Sequence, residues 1–588
     1  MSTSTDVAPL GYPEASEKGL KGGALGLLSS IVVGMASTAP AYSLAASLGL
    51  VVAITSDEGS VGLKAPAIML LAFVPMYFIA IAYQELNKAE PDCGTTFTWA
   101  ARAFGPITGW LGGWGIIAAD VIVMANLAQV AGSYSYTFVA EVGGLLGQDW
   151  AGVAELADST LWSTVAGVLW IAIMTYICYR GIEVSARLQY GLLGVEVIVL
   201  VVFAVTALVK VYAGTAEEYS LTPSLAWLVP TDLPFGSVLA PALLTAFFIY
   251  WGWDTAVTCN EESDDPGKTP GRAAVISTVL LLVTYALVSI SAVAFAGVGE
   301  EGVGLGNPDN SADVFRAIGP DLFGDSALGK AGLILLAASI LTSASASTQT
   351  TILPTARTAL SMAVFKAIPS NFARIHPRYL TPTWATVGMG IISAVFYVLF
   401  TLVSPGLLLA LIGSVGLMIA FYYGLTGFVC VWFYRKTCTS NTRDFFMQGL
   451  IPFIGGAVML STFVYGLITF LKPDYLTDDD DNPITLFGAG AVGVVGLLAL
   501  AMGVALMLVW MAMHPEYFKG KTLAKRAAHD LVLAGPHTDH TSVRLPDSGL
   551  PELVIAPDLS NLPPGQHAVD LTSHELLDAP DEGAGGSH

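Results

Sequence analysis

The chain is 588 residues long, 54% hydrophobic and only 12% charged, with a mean hydropathy of +0.66 and a formal net charge of −21. A soluble domain carries about 25% charged residues, so this composition excludes an ordinary water-soluble fold and points to a chain whose solvent is the lipid bilayer. Nucleic acid is not an expected partner.

In chain order, residues 1–22 form a polar N-terminal tail. With Glu14 and Glu17 in it and no short apolar core before a small-residue cleavage site, it does not read as a cleavable signal. Windows of roughly 20 apolar residues, enough to cross about 30 Å of hydrocarbon as a helix, then recur about twelve times. They fall at 23–52, 65–86, 106–140, 161–179, 188–212, 238–259, 273–298, 329–364, 383–403, 406–433, 447–471 and 485–513. These windows lack the polar stripe that a buried helix of a soluble protein keeps at helical spacing. The expected fold class is an all-α membrane protein with about 12 transmembrane helices, its transmembrane domain spanning 23–513.

Two of the windows are interrupted. The run from Gly26 to Leu50 is broken by Ala36-Ser37-Thr38-Ala39-Pro40, and the run from Pro241 to Cys259 by Trp251-Gly252-Trp253-Asp254. Hydrocarbon offers no water to free backbone groups, so irregular backbone at that depth lines a cavity or is buried in protein. Paired breaks in two halves of one chain point to a transport site.

Intramembrane charges are the next signal, since each costs at least about 2.5 kcal/mol at the bilayer centre on insertion scales. Asp120 in the third span, Glu196 in the fifth and Asp254 in the sixth are well inside. Each has either a transport role or a structural hydrogen bond to a neighbouring helix. Only His376 lies outside the C-terminal tail, so no imidazole is available within the spans to carry protons.

The remaining charges set orientation. Lys88, Arg102, Arg180, Arg187, Lys268, Arg272, Arg374, Arg378, Arg435 and Lys436 fall on the side of both termini, which predicts that side to be cytoplasmic; the expected location is the plasma membrane. The opposite loops are acidic, from Glu141 and Asp149 to the run Asp478 to Asp481. Cys93, Cys178, Cys259, Cys430 and Cys438 map at or near the cytoplasmic side, where thiols stay reduced, and no disulfide is expected. Residues 514–588 hold seven of the eight histidines and open on Lys519, Lys521, Lys525 and Arg526. They read as a disordered cytoplasmic extension, its basic start against anionic lipid and its apolar piece Leu550 to Ile555 without an assigned role. No histidine pair there has metal-ligand spacing. Gly267-Lys268-Thr269 and Gly520-Lys521-Thr522 are not phosphate loops, because Glu262 and Pro515 stand where such a loop needs an earlier glycine. No cofactor, metal or enzymatic activity is expected.

Several segments resemble the amino acid, polyamine and organocation superfamily. They are Tyr83-Gln84-Glu85-Leu86 with Glu90-Pro91-Asp92-Cys93-Gly94 and Thr98-Trp99; Phe247 to Asp254 with Asn260-Glu261-Glu262, Pro266 and Pro270-Gly271-Arg272-Ala273; and Ala356-Arg357-Thr358-Ala359 with Ile368-Pro369, Phe372, Pro377 and Thr381-Pro382. The resemblance covers about residues 20–515 and implies two inverted five-helix repeats, with broken helices 1 and 6, plus two further helices. It implies that the first break, through Thr38, Ala39 and Ala41, cradles a substrate carboxylate. Pro40 is a departure, because it has no N–H to donate. In the sixth span it implies carbonyls around Phe248, Ile249 and Trp251 facing an ammonium, next to Gly252, with Phe248 or Trp253 as an aromatic gate. Asp254 and Asp120 would then bear on substrate charge.

Where proton-coupled relatives carry a fifth-span lysine, this chain has Glu196, so the charge is reversed. The residue would carry a proton, or else bind Na+ together with Ser343, Ser345, Ser347 or Thr348 of the eighth span; H+ is the expected ion. One charge crossing about 100 mV gains about 2.3 kcal/mol, enough for roughly fifty-fold accumulation. The overall expectation is a proton-coupled importer of amino acids. The alternatives are a permease for polyamines or other small organic cations, and a transporter-like substrate sensor.

Overall fold

The computed structural model describes residue 16 and residues 18–148, 150–311, 313–403, 405–477 and 482–526, together with the backbone of a strand pair, His567–Val569 with Leu576–Asp578. The helices in chain order are α1 (Leu27–Ser37), α2 (Pro40–Val52), α3 (Ala65–Ala89), α4 (Thr96–Ala103), α5 (Pro106–Leu145), α6 (Ala151–Asp158), α7 (Thr160–Tyr179), α8 (Ile182–Ala213) and α9 (Ala240–Ala246). They continue with α10 (Thr255–Thr258), α11 (Thr269–Ala296), α12 (Val314–Phe323), α13 (Ala327–Val364), α14 (Thr383–Val403), α15 (Pro405–Phe433), the single turn α16 (Thr442–Asp444), α17 (Ile451–Phe470) and α18 (Ala491–Met513). Among the described residues they supply 12 stretches long and apolar enough to cross a membrane, and all twelve overlap the windows expected from hydropathy. The chain is a multi-pass helical membrane protein.

Packing follows the rule for lipid as solvent, apolar outside and polar within. Leu161, Leu169, Ile198, Val209, Leu399 and Val509 are exposed on the outer surface, whereas the hydroxyls of α13 from Ser339 to Ser361 are mostly buried. Helix α5 runs against α13, α7 and α15, α3 against α11 and α17, and α8 against α11 and α13. Small residues permit the closest approach: a Cβ on Gly132 of α5 would lie 2.1 Å from the Ser163 carbonyl of α7.

Both interruptions have local causes. Pro40 removes a helical N–H and disfavours helical backbone at the residue before it. Ala39 accordingly adopts φ 46° and ψ 64°, left-handed, and the chain restarts as α2 with Pro40 in its first turn. In the sixth span α9 tightens into a 3-10 turn at Phe247–Tyr250, Trp251 is extended, and Gly252 takes φ 120°. A Cβ on Gly252 would sit 2.7 Å from the Ser37 carbonyl. Glycine is needed there for its backbone angle and because the two breaks touch.

The ends of the domain are more ordered than composition suggests. Lys18 and Leu20, assigned to the N-terminal tail, are buried. Residues 514–526, assigned to a disordered extension, pack on the face where α5 begins, because Tyr517 and Leu523 bury apolar surface there. The Tyr517 hydroxyl donates to Pro106 O at 2.8 Å, and the Arg526 N–H to Arg102 O at 3.0 Å. The acidic run 478–481 and the piece 550–555 lie outside the described residues.

Candidate transport site

At the first break the backbone donors are already engaged. Thr38 N–H and its hydroxyl both donate to Met35 O, at 3.1 and 2.7 Å, and Ala39 N–H donates to Ala36 O at 3.2 Å. The first turn of α2 offers Ala41 and Tyr42. Ala41 N–H donates to Glu196 Oε1 at 2.7 Å, and Tyr42 N–H donates to Ser343 Oγ at 3.1 Å. Ser343 Oγ in turn donates to the same Glu196 Oε1 at 2.7 Å. Glu196 is fully buried, and its Oε2 has no hydrogen-bond partner. A carboxylate from α8 thus caps the exposed N-terminus of α2, where the helix dipole and free N–H groups favour negative charge.

The eighth span reaches this point through one face of α13. Ser343 and Ser347 are four residues apart and lie on the same side of the helix; Ser347 Oγ donates to Ser37 O at 2.9 Å. Thr348 turns back on its own helix, donating to Ala344 O at 2.8 Å. Ser345 Oγ is buried without a partner. Of the eighth-span hydroxyls considered from sequence, the one that touches Glu196 is Ser343. The signal that singles out Ser343 and Ser347 is their helical spacing.

The second break gathers a different set. Asp254 Oδ1 accepts from the Tyr423 hydroxyl at 2.9 Å and Oδ2 from the Tyr422 hydroxyl at 3.1 Å. Trp251 Nε1 donates to the same Tyr422 hydroxyl. Trp253 is fully buried between Tyr83 and Tyr423, each ring centroid 5.2 Å away, and its Nε1 is unpartnered. Phe248 meets Tyr42 edge-on at 6.4 Å, so these rings join the two breaks. Ile249 O accepts from the Tyr285 hydroxyl at 2.6 Å, and Phe248 O from Trp251 N–H at 3.1 Å. Ser37 and Thr255 share a hydroxyl hydrogen bond of 2.9 Å, a further link between the breaks. Asp120, on α5, accepts from Thr355 Oγ1 of α13 at 2.6 Å. Tyr422 and Tyr423 lie in a span that sequence reasoning left without a role.

Two broken spans meeting around a capped half-helix is a transporter's geometry, and the comparisons agree. Residues 25–497 match the family described as amino acid permease. The chain belongs to the amino acid permease family. Its relatives include an uncharacterized transporter of Mycobacterium tuberculosis strain H37Rv, 26% identical over 374 residues, which are 63% of this permease and 72% of the relative. The branched-chain amino acid permease BcaP of Bacillus subtilis is 24% identical over 415 residues, 68% of this permease and 81% of that one. A vacuolar cationic amino acid transporter of Arabidopsis thaliana is 26% identical over 334 residues, 55% of this permease and 50% of that one.

On the face where α1 begins the permease builds a second polar layer, whose motif residues were legible in the sequence while their pairing was not. Lys18 Nζ donates to Asp92 Oδ2 at 2.8 Å and to Glu261 Oε1. Asp92 Oδ1 also accepts from Ser361 Oγ at 2.7 Å, Thr98 Oγ1 at 2.8 Å and Gly94 N–H at 2.7 Å. Burial works against the Asp92 carboxylate, but Lys18 and these donors outweigh it and hold its pKa below the usual range. Burial likewise works against the Lys18 ammonium, and Asp92, Cys93 and Glu261 outweigh it and raise its pKa. Ligand atoms of Asp92, Cys93 and Glu261 cluster within 4.8 Å, and the cation they surround is that ammonium. Arg357 forms a bidentate pair with Glu262 at 2.6 and 2.8 Å, both side chains almost fully buried. Glu262 O accepts from Ala24 and Leu25 N–H, tying the exit of the sixth span to the approach to the first.

Proposed function

We propose that this permease imports amino acids across the plasma membrane in symport with protons, both termini facing the cytoplasm. The observation that carries the reading is Glu196: a fully buried carboxylate with one free oxygen, bonded to the N-terminus of a broken transmembrane helix. The substrate carboxylate is assigned to the break at Thr38, Ala39 and Ala41, with the Ala41 N–H that Glu196 holds as its donor, because the donors of Thr38 and Ala39 are engaged within α1; its ammonium is assigned to the carbonyls of Phe248, Ile249 and Trp251 beside Gly252. Phe248 or Trp253 is the aromatic gate, and Glu196 with Ser343 is the proton site. Relatives named for branched-chain and cationic amino acids support the substrate class. Sodium is the competing ion, with Ser345, Ser347 and Thr348 as its ligands.

A second reading, a permease for small organic cations, rests on Asp254 and Asp120. Both are buried, and the hydrogen bonds to their side chains come from hydroxyls. Uptake into proteoliposomes separates these readings. Accumulation of labelled amino acid under an inside-alkaline gradient, without sodium, is the expected result. Accumulation of putrescine but of no amino acid would establish the second reading, and a strict sodium requirement would remove the proton.

A further inference from the structure

The first turn of α2 has two N–H groups to offer, because Pro40 has none and Ser43 N–H is bonded to Ala39 O at 2.8 Å. Ala41 N–H reaches Glu196 Oε1 directly and Tyr42 N–H reaches it through Ser343 Oγ. One carboxylate oxygen therefore saturates the helix end. A substrate carboxylate arriving there would find no free donor at the helix end and would face a like charge in a buried site.

We propose that Glu196 is a resident substitute for the substrate's carboxylate, and that an amino acid takes its place on α2 only when Glu196 carries a proton. This rests on the amino acid reading above. The exchange balances in charge: a proton from the outer solution adds to the unpartnered Oε2, the neutral acid gives up the α2 donors, and the incoming carboxylate restores one negative charge to the helix end. Loss of that proton to the inner solution returns Glu196 to α2 and expels the substrate. One proton thus accompanies each zwitterionic substrate, and binding and coupling share one pair of N–H groups.

The surroundings leave Glu196 as the group that titrates. Helix α1 has no titratable residue, and α2 has Tyr42. Helix α11 has Arg272 at its start and Tyr285, whose hydroxyl is held by Ile249 O. The two charged residues of α13, Lys330 and Arg357, lie about 20 Å along that helix from Ser343 in either direction. Helix α7 has Tyr176, Cys178 and Tyr179 at its end, and α8 itself has Glu183, Arg187, Tyr190, Lys210 and Tyr212. In α12, whose Phe315 packs on Phe203, Arg316 pairs with Asp158 and Asp321 accepts from Tyr219.

The test is equilibrium binding to the purified full chain, using two pairs of probes that differ by a carboxylate: leucine with isopentylamine, and lysine with cadaverine. In the wild type, the better amino acid should bind about ten-fold tighter for each pH unit of acidification above the Glu196 titration. In Glu196→Gln, affinity should be independent of pH and near the wild-type value in acid. A pH slope retained in Glu196→Gln overturns the proposal while leaving amino acid transport intact. Binding of the amine but not of the amino acid at any pH overturns the amino acid reading, and the substitution with it. Should Glu196→Gln fail to fold, Ser343→Ala serves: loss of a donor to the ionised form should move the midpoint of the pH curve upward, and an unmoved midpoint overturns the proposal.

Discussion

Two layers of this permease bury carboxylates, and they treat them differently. On the face where α1 begins each described buried acid has a cation: Asp92 has Lys18, Glu262 has Arg357 and Glu90 has Arg102. Around the breaks Asp120, Glu196 and Asp254 receive hydrogen bonds from hydroxyls and a backbone N–H. A paired buried ion is costly to break, because removing one partner strands the other. A buried acid without a cation can instead change its charge or accept one from solution. The first layer pairs its buried charges, and the second leaves its carboxylates able to change theirs.

The contrast is broken most sharply at Arg357. Arg357→Ala leaves Glu262 buried and unpaired, and should cost about 3–5 kcal/mol of stability, read as a large fall in thermal unfolding temperature in detergent. Lys18→Ala should follow at about 3 kcal/mol or less, since Glu261 keeps the Cys93 N–H at 3.0 Å. It should also loosen the layer, so that the buried Cys93 thiol reacts faster with a membrane-impermeant maleimide. Asp254→Asn, in the central layer, should change stability by about 1 kcal/mol or less, because no cation is stranded, one tyrosine hydroxyl keeps the carboxamide oxygen as acceptor and the other can accept from the new NH2 group. A loss from Asp254→Asn as large as that from Arg357→Ala would erase the distinction between the layers.

The twelve spans and both breaks were legible because they are local: hydropathy marks a span, and Pro40 or Gly252 marks where helical backbone cannot continue. The partners of the buried acids were not. Glu196 and Ala41 are 155 residues apart, and nothing in either segment encodes that α8 lies against the start of α2. The Tyr422-Tyr423 pair that holds Asp254 sits in an apolar window, where aromatic residues read as packing. On α13 four hydroxyls in a short run looked equivalent, although a helix puts Ser343 and Ser347 on one face and turns Ser345 away. Lys18 was hidden by its setting, since a lysine in a polar tail gives no sign that it will be buried between Asp92 and Glu261.

The smallest effect is expected where the two layers meet pH. Asp92 has a lowered pKa, so its stabilisation is complete above the ordinary carboxylate range and is lost only as pH falls through the lowered value. Lys18 has a raised pKa, so its stabilisation is complete below the ordinary lysine value and is lost only as pH rises through the raised one. Between about pH 5 and pH 10 neither group changes charge. The Gly94 amide, which donates to Asp92, reports on this directly. Its hydrogen-exchange protection, corrected for the intrinsic rate, should stay flat from about pH 5 to pH 9, while gradient-driven uptake varies over the same interval. Protection that fell in step with uptake would move the pH sensor out of the central layer and into the lock formed by Lys18, Asp92 and Glu261.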